Sequence, residues 1–104
     1  MKLKQVANEY YSSHDYKNLR DETKAHYLYC LTNALATSVE GVVIGEVGVT
    51  KMSTKQAKLS YDLWCDRGIS TANHIMAVTR ILFNYAVRME HCNINPFATV
   101  RRRA

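Results

Sequence analysis

The sequence predicts an all-α fold, a small bundle of four main helices in one domain. Apolar residues recur at spacings of three and four along most of the chain, which is the periodicity of helices buried on one side. The 104 residues include only one proline and four glycines, while 47% are hydrophobic. This composition is typical of a folded domain with a single core, and a chain of this length is too short for most multi-step enzymes.

The first two helices are predicted from their apolar stripes. The opening helix spans residues 3–12, and its apolar face consists of Leu3, Val6, Ala7, Tyr10 and Tyr11. The second helix is expected to run from about Arg20 to Ser38. Its buried stripe is predicted to consist of Tyr27, Leu28, Leu31, Ala34 and Leu35, and its outer stripe of Glu22, His26, Tyr29 and Asn33.

The third helix is defined by signals at both of its ends. Before it, residues 39–50 (VEGVVIGEVGVT) combine three glycines with β-branched residues, which predicts a connection or a short extended segment. Ser53 and Gln56 then fit a capping box, in which each side chain bonds the other residue's backbone amide. Gly68 is expected to end this helix in a left-handed conformation.

The fourth helix begins at Ser70 or Thr71 and is expected to be the centre of the bundle. Its apolar residues cover more than half of the circumference: Ala72, Ile75, Met76, Val78, Ile81, Leu82, Phe83, Tyr85, Ala86, Val87 and Met89. The one polar stripe, predicted to stay exposed, consists of Asn73, Ala77, Arg80, Asn84, Arg88 and His91. Amides and arginines on one exposed stripe suit phosphate oxygens and base edges, although a solvated face without a partner has the same pattern.

The net charge of +5 is concentrated at the C-terminal end. Residues 1–38 carry five Lys and Arg against four Asp and Glu, residues 39–69 carry four against four, and residues 70–104 carry five against one. Such asymmetry indicates a polyanionic partner at that end, because Lys and Arg displace condensed counterions from phosphates. A terminus that is merely solvated by its arginines is the alternative.

No motif for catalysis or metal binding is present. The sequence has no G-x-S-x-G, no phosphate loop and no H-E-x-x-H. Three widely spaced cysteines support neither a disulfide framework nor a zinc knuckle, and they fit a reducing cytoplasm. His91 and Cys92 are adjacent, and we expect none of His14, His26 and His74 to have a cysteine or acidic partner at coordination spacing. We therefore expect no metal and no other cofactor.

A helix-turn-helix is the first DNA-binding motif to consider. Residues 66–78 (DRGISTANHIMAV) have the form of its turn and recognition helix, with Gly68 opening the turn. The first helix of that motif needs a small residue about four positions before the glycine, so that the two helices can cross closely. Trp64 occupies that position, and the preceding helix is also too long, which disfavours this motif.

Five fragments, in order, resemble the N-terminal core-binding domain of phage-type tyrosine recombinases (integrases). They are Leu19 to Tyr27 (L-x-x-x-T-x-x-x-Y), Thr71-Ala72-Asn73, residues 83–87 (FNYAV), Ile94-Asn95-Pro96, and the basic residues that follow. The resemblance covers roughly residues 5–103. It implies a SAM-like bundle of two crossed helical hairpins that clamps one side of double-stranded DNA.

The resemblance also implies that the chemistry lies elsewhere. In that family a separate C-terminal domain exchanges the strands, with a nucleophilic tyrosine and an H-x-x-R segment, and no histidine here is followed by arginine three residues later. Residues 1–100 would then be the DNA-binding domain, and residues 101–104 the start of a basic linker to the catalytic domain of a DNA-breaking and rejoining enzyme. This chain itself would have no catalytic residue. Its partners would be DNA, that catalytic domain and further recombinase protomers, in the cytoplasm of a bacterium carrying a prophage or mobile element.

The DNA-facing positions that the resemblance implies fall into three groups. The first group, at the start of the second helix, is Arg20, Thr23, Lys24 and His26. The second group, on the fourth helix, is Asn73, His74, Ala77 and Arg80. The third group is Arg101, Arg102 and Arg103. A helical domain that binds another protein is the alternative function, and no membrane-spanning segment is expected.

Overall fold

The computed structural model describes residues 1–104 and contains five α-helices and one short antiparallel hairpin. The helices are α1 (Leu3–Tyr11), α2 (His14–Lys17), α3 (Asp21–Leu35), α4 (Thr54–Cys65) and α5 (Ile69–Arg88). The strands are β1 (Ser38–Val39) and β2 (Val42–Val43), followed by a 3-10 turn at Ile44–Glu46. The predicted helical class is confirmed. None of these helices combines the length and the apolar character needed to cross a bilayer.

Helix α5 is the centre of the core, as predicted. It contacts α1, α3 and α4, and ten of its twenty residues are buried. Leu82 and Phe83 have no exposed surface, which fits their place in the middle of the apolar arc. Met89 was expected on that arc but is 47% exposed, because the helix ends at Arg88 and the chain turns away.

Helix α3 packs against α5 through a narrower face than the sequence predicts. Cys30, Leu31 and Ala34 are buried, whereas Leu28 is 47% exposed, so the prediction for Leu28 is wrong. Leu28 lies about 100° around the helix from Tyr27, at the edge of the contact. Helix α2 was not predicted; it is a single turn in which Ser13 Oγ accepts a hydrogen bond from Tyr16 N.

The glycine-bearing connection is a short extended segment, as expected. Ser38 pairs with Val43 and Val39 pairs with Val42. The second helix was predicted to extend to Ser38, but α3 ends at Leu35 because Ser38 already belongs to β1. The 3-10 turn then crosses the end of α3. A Cβ atom at Gly45 would lie 2.8 Å from the carbonyl oxygen of Leu35, and this close approach explains the glycine.

The predicted signal at the start of α4 is confirmed, whereas the predicted stop at Gly68 is wrong. Ser53 Oγ accepts from Gln56 N at 3.1 Å and Gln56 Oε1 accepts from Ser53 N at 3.0 Å, which confirms the capping box. Gly68 has a φ of 121° and a ψ of 137°, so φ is positive but the residue is not in the left-handed helical region. It serves as the N-cap position of α5, and α4 already ends at Cys65.

Candidate nucleic-acid interface

Residues 95–103 fold back over α4 and α5, and we call this segment the C-terminal strap. Its apolar anchor is Phe97, which is fully buried and stacks on Trp64 with ring centroids 5.8 Å apart and planes inclined by 7°. Trp64 in turn donates from Nε1 to Thr37 Oγ1 at 2.8 Å. Trp64 therefore connects the end of α3, helix α4 and the strap, which explains a large residue at this position.

Arg80 holds the middle of the strap. Its Nε and Nη2 donate to the carbonyl oxygen of Phe97 at 3.2 and 3.0 Å, and Nη2 also donates to the carbonyl oxygen of Val100 at 2.9 Å. In return, Asn95 Nδ2 donates to the carbonyl oxygen of Arg80 at 3.0 Å and to Asn84 Oδ1 at 2.8 Å. The guanidinium group is thus engaged within the chain and half-buried, not freely exposed as predicted.

Asn73 holds the end of the strap. It accepts a hydrogen bond from Tyr61 OH at Oδ1 and donates from Nδ2 to the carbonyl oxygen of Arg103 at 3.0 Å. Tyr61 OH also accepts from Arg103 N at 2.7 Å, while the Arg103 guanidinium lies 2.6 Å from Asp62 Oδ1. The prediction that Asn73 is exposed is wrong, since only 9% of its surface is accessible.

The exposed stripe of α5 therefore overlaps the predicted one only at Ala77, Asn84 and Arg88. Its exposed members are Ile69, Ser70, His74, Ala77, Asn84 and Arg88. The strap covers the side that carries Asn73 and Arg80, because their amide and guanidinium groups satisfy its backbone carbonyls. At the far end, Arg88 pairs with Asp15 at 2.6 Å.

The first two predicted groups meet where α3 crosses α5. His26 Nε2 and His74 Nδ1 are 3.2 Å apart, and the two rings are nearly perpendicular, at 89°. Both histidines are exposed. The sequence gives no signal for this contact, because the two residues are 48 positions apart.

An open groove at the start of α5, which we call the α5 groove, brings together two residues of the second group and two of the third. It has a volume of about 590 Å³ and is lined by Ile69, Ser70, Asn73, His74, Arg102, Arg103 and Ala104. The first backbone bond of the helix runs from Ala72 N to the carbonyl oxygen of Gly68, so the amides of residues 69–71 precede its internal bonding. No side chain caps them and no acidic residue occupies the first turn. This arrangement suits an anion.

The other predicted residues lie outside the α5 groove. Arg20 is exposed at the N-cap position of α3, and Thr23 and Lys24 are half-buried on the same helix. Arg20 precedes His26 by six residues, which is about 9 Å along a helix axis. Arg101 is exposed and lies beside Lys58 and Tyr61. Exposed cations are therefore present outside the groove on α3 and on the strap, but exposed carboxylates of Asp21 and Glu22 follow Arg20 in the first turn of α3.

A polar cluster that the sequence analysis did not predict joins α1 to the end of α5. Glu9 Oε2 accepts from Tyr85 OH at 2.8 Å and lies 2.6 Å from His91 Nε2. The hydrogen bonds from His91 and Tyr85 lower the pKa of the Glu9 carboxyl group. Burial and the same carboxylate raise the pKa of Tyr85 to about 12. The cluster fixes two distant parts of the chain to each other.

One expectation about metal ligands is wrong. Cys30 lies one helical turn after His26, and its Sγ is 3.7 Å from His26 Nε2. Burial raises the pKa of the Cys30 thiol, so the neutral form is favoured. No group of three or more His, Cys, Asp and Glu side chains is arranged to hold a metal ion.

Comparison with known proteins gives no relative from which a function could be transferred. No family model, no curated protein and no solved structure matches the chain. The chemistry of the α5 groove and of the adjoining cationic surface is therefore the basis for assigning a function.

Proposed function

We propose that this chain is a DNA-binding module of a phage-type tyrosine recombinase, which clamps duplex DNA at the recombination core site. The observation that carries the proposal is the α5 groove. It combines uncapped helix amides with Arg102 and His74, which can donate hydrogen bonds to phosphate oxygens, while the Arg103 guanidinium at the same edge is paired with Asp62. The ordered sequence fragments described above support the choice of this family among DNA-binding proteins.

The helix arrangement supports the finer fold that the family implies. Helices α4 and α5 are joined by only three residues and pack along each other, as in a helical hairpin. Helices α1 and α3 contact each other, and both pack on α5. We propose that these two pairs are the crossed hairpins of a SAM-like domain.

Within this proposal, Asn73 and Arg80 act as positioning residues. Both bond to backbone carbonyls of the C-terminal strap, and the strap carries Arg101–Arg103 to the start of α5. Because the Arg80 guanidinium already has two carbonyl acceptors, it acts on DNA through the placement of the strap. His26 and Arg20 extend the DNA face along α3.

The strand exchange itself is assigned to a separate domain, so this chain alone is expected to lack activity on DNA. Incubation with supercoiled plasmid should give no nicks, and a suicide substrate should give no denaturant-resistant adduct. A covalent adduct with this chain would contradict the assignment of the nucleophile to another domain.

Burial in α5 disfavours the helix-turn-helix alternative. Asn73, Ile75, Met76 and Thr79 are buried, so most of the proposed recognition helix faces the core and not a major groove. The protein-interaction alternative has one specific observation in its favour: Leu28 and Tyr29 on α3 are 47% and 52% exposed.

Salt-dependent DNA binding separates the two functions. Fluorescence anisotropy with a labelled duplex should show weak binding, with a Kd that is roughly micromolar or higher. The slope of log affinity against log salt concentration should be about −0.9 for each phosphate that the protein contacts. Arg102→Ala should lower that slope by about 1. Lys51→Ala removes an exposed cation that does not line the α5 groove, and it should leave the slope unchanged.

A charge placed at the start of α5 gives a sharper test. Ser70→Glu adds a carboxylate to the first turn, where it interacts favourably with the helix dipole by about 0.3 to 1 kcal/mol but repels phosphate. The variant should therefore be at least as stable as the parent and bind DNA less tightly. Thr54→Glu adds the same charge at the start of α4 and is the matched control. Equal DNA affinity of the parent, Ser70→Glu and Arg102→Ala would refute the proposed interface and favour the protein-interaction alternative.

A further inference from the structure

We propose that His26 and His74 form a binding site for a divalent transition metal ion that prefers imidazole ligands, such as Cu²⁺, Ni²⁺ or Zn²⁺. The ion would lie between α3 and α5 and bind the Nε2 atom of His26 and the Nδ1 atom of His74. The proposal does not depend on DNA binding, although His74 also lines the α5 groove, so that an ion and a phosphate group would compete for this side chain.

The distance between the two nitrogen atoms fits a shared metal ion. A metal–nitrogen bond is about 2.0 to 2.1 Å long, so two imidazole nitrogens on one ion are roughly 2.9 Å apart at a right angle and 3.4 Å apart at a tetrahedral angle. His26 Nε2 and His74 Nδ1 are 3.2 Å apart, which lies within this range. Without an ion the two rings share a hydrogen bond at this distance, so the donor ring changes its tautomer when both nitrogens bind the metal.

The two ligands are presented by a rigid frame. On α3, the neighbouring Cys30 and Leu31 are fully buried, and on α5 so are Ala72 and Ile75. The packing of these residues fixes the separation of the two helices before any ion arrives. Because the two backbones are held in place, only the side-chain torsions of His26 and His74 lose freedom when the ion binds.

The cavity beside the pair is accessible and can accommodate the remaining ligands of the ion. It has a volume of about 200 Å³ and is lined by His26, Tyr29, Cys30, Ser70, Thr71, His74 and Ile75. None of Arg101–Arg103 lines it, so the arginines of the strap do not occupy the site. Because no third ligand side chain is arranged around the pair, water would complete the coordination.

Cys30 is a neighbour of this site and not one of its ligands. Its Sγ lies 3.7 Å from His26 Nε2, but the whole residue is buried and packs in the hydrophobic core, whereas both histidines are exposed. We therefore assign the site two protein ligands, both nitrogen.

Isothermal titration calorimetry of the tag-free protein with Cu²⁺, Ni²⁺ and Zn²⁺ tests the site. The parent should bind one ion, with Cu²⁺ the tightest according to the Irving–Williams order. His26→Ala and His74→Ala should each lower the affinity by roughly tenfold or more, because one ligand then loses its chelating partner. Both histidines are exposed, so circular dichroism should show that both variants remain folded.

Matched controls make the outcome decisive. His14→Ala removes an exposed histidine that contacts Asn18 on α2, and it should leave the affinity unchanged. Cys30→Ser should also retain binding, and the electron paramagnetic resonance spectrum of the Cu²⁺ complex should show two nitrogen ligands. Equal affinity of the parent and His74→Ala would overturn the two-histidine site, and so would loss of binding in a Cys30→Ser variant whose circular dichroism spectrum and Tm match those of the parent. Neither outcome would affect the DNA assay, in which no metal is present.

Discussion

Replacing Arg80 by alanine tests the most consequential assignment in this structure. The side chain makes three hydrogen bonds to the carbonyl oxygens of Phe97 and Val100, and it is half-buried. A hydrogen bond with a charged partner contributes about 1.5 to 3 kcal/mol to the free energy of unfolding. The three bonds together contribute less than three times this value, because the guanidinium is half-buried and water can also bond to it. We therefore expect Arg80→Ala to lower the free energy of unfolding by about 2 to 4 kcal/mol. For a domain of this size, that corresponds to a fall in Tm of roughly 10 to 20 °C.

Urea denaturation monitored by circular dichroism measures this loss directly. Arg88→Ala is the matched control on the same helix, since Arg88 is exposed and pairs only with Asp15 and the face of Tyr85. Its loss should cost no more than about 1 kcal/mol. If Arg80→Ala unfolded within about 0.5 kcal/mol of the parent at an unchanged m-value, Arg80 would not anchor the strap. The prediction of an exposed Arg80 on the α5 stripe would then be restored.

Three further outcomes are expected. Phe83→Ala should lower the free energy of unfolding by about 3 to 5 kcal/mol, because the ring is fully buried, and a shift of only a degree or two in Tm would contradict its central position. Ser53→Ala should cost about 1 kcal/mol in urea denaturation through the lost cap of α4, and an unchanged midpoint would show that the cap is dispensable. In the folded protein the pKa of Glu9 is lowered from its ordinary value of 4.5, so the carboxylate stabilises the fold fully at pH values above 4.5. This contribution is lost as the pH falls through the lowered pKa. Glu9→Gln should therefore lose less stability than the parent on acidification below pH 4.5, as measured by denaturation at a series of pH values.

The sequence alone determined the helical class, the central helix and the cap of α4. These features follow from local periodicity and from side chains that bond backbone groups three residues away, as Ser53 and Gln56 do. The same reasoning identified the cationic C-terminal end, because charge can be counted along a chain. The family assignment and its function remain proposals that DNA binding can test.

Only the tertiary structure decided which polar side chains of α5 are free. Arg80 and Asn73 occupy a helical stripe that would face solvent if nothing covered it, but the strap returns 17 to 30 residues later and takes up their hydrogen bonds. The contact between His26 and His74 likewise joins residues 48 positions apart. Periodicity reports how a helix is divided into faces, whereas the exposure of each face depends on which distant segment packs against it. That choice is made by long-range packing, here by the stacking of Phe97 on Trp64.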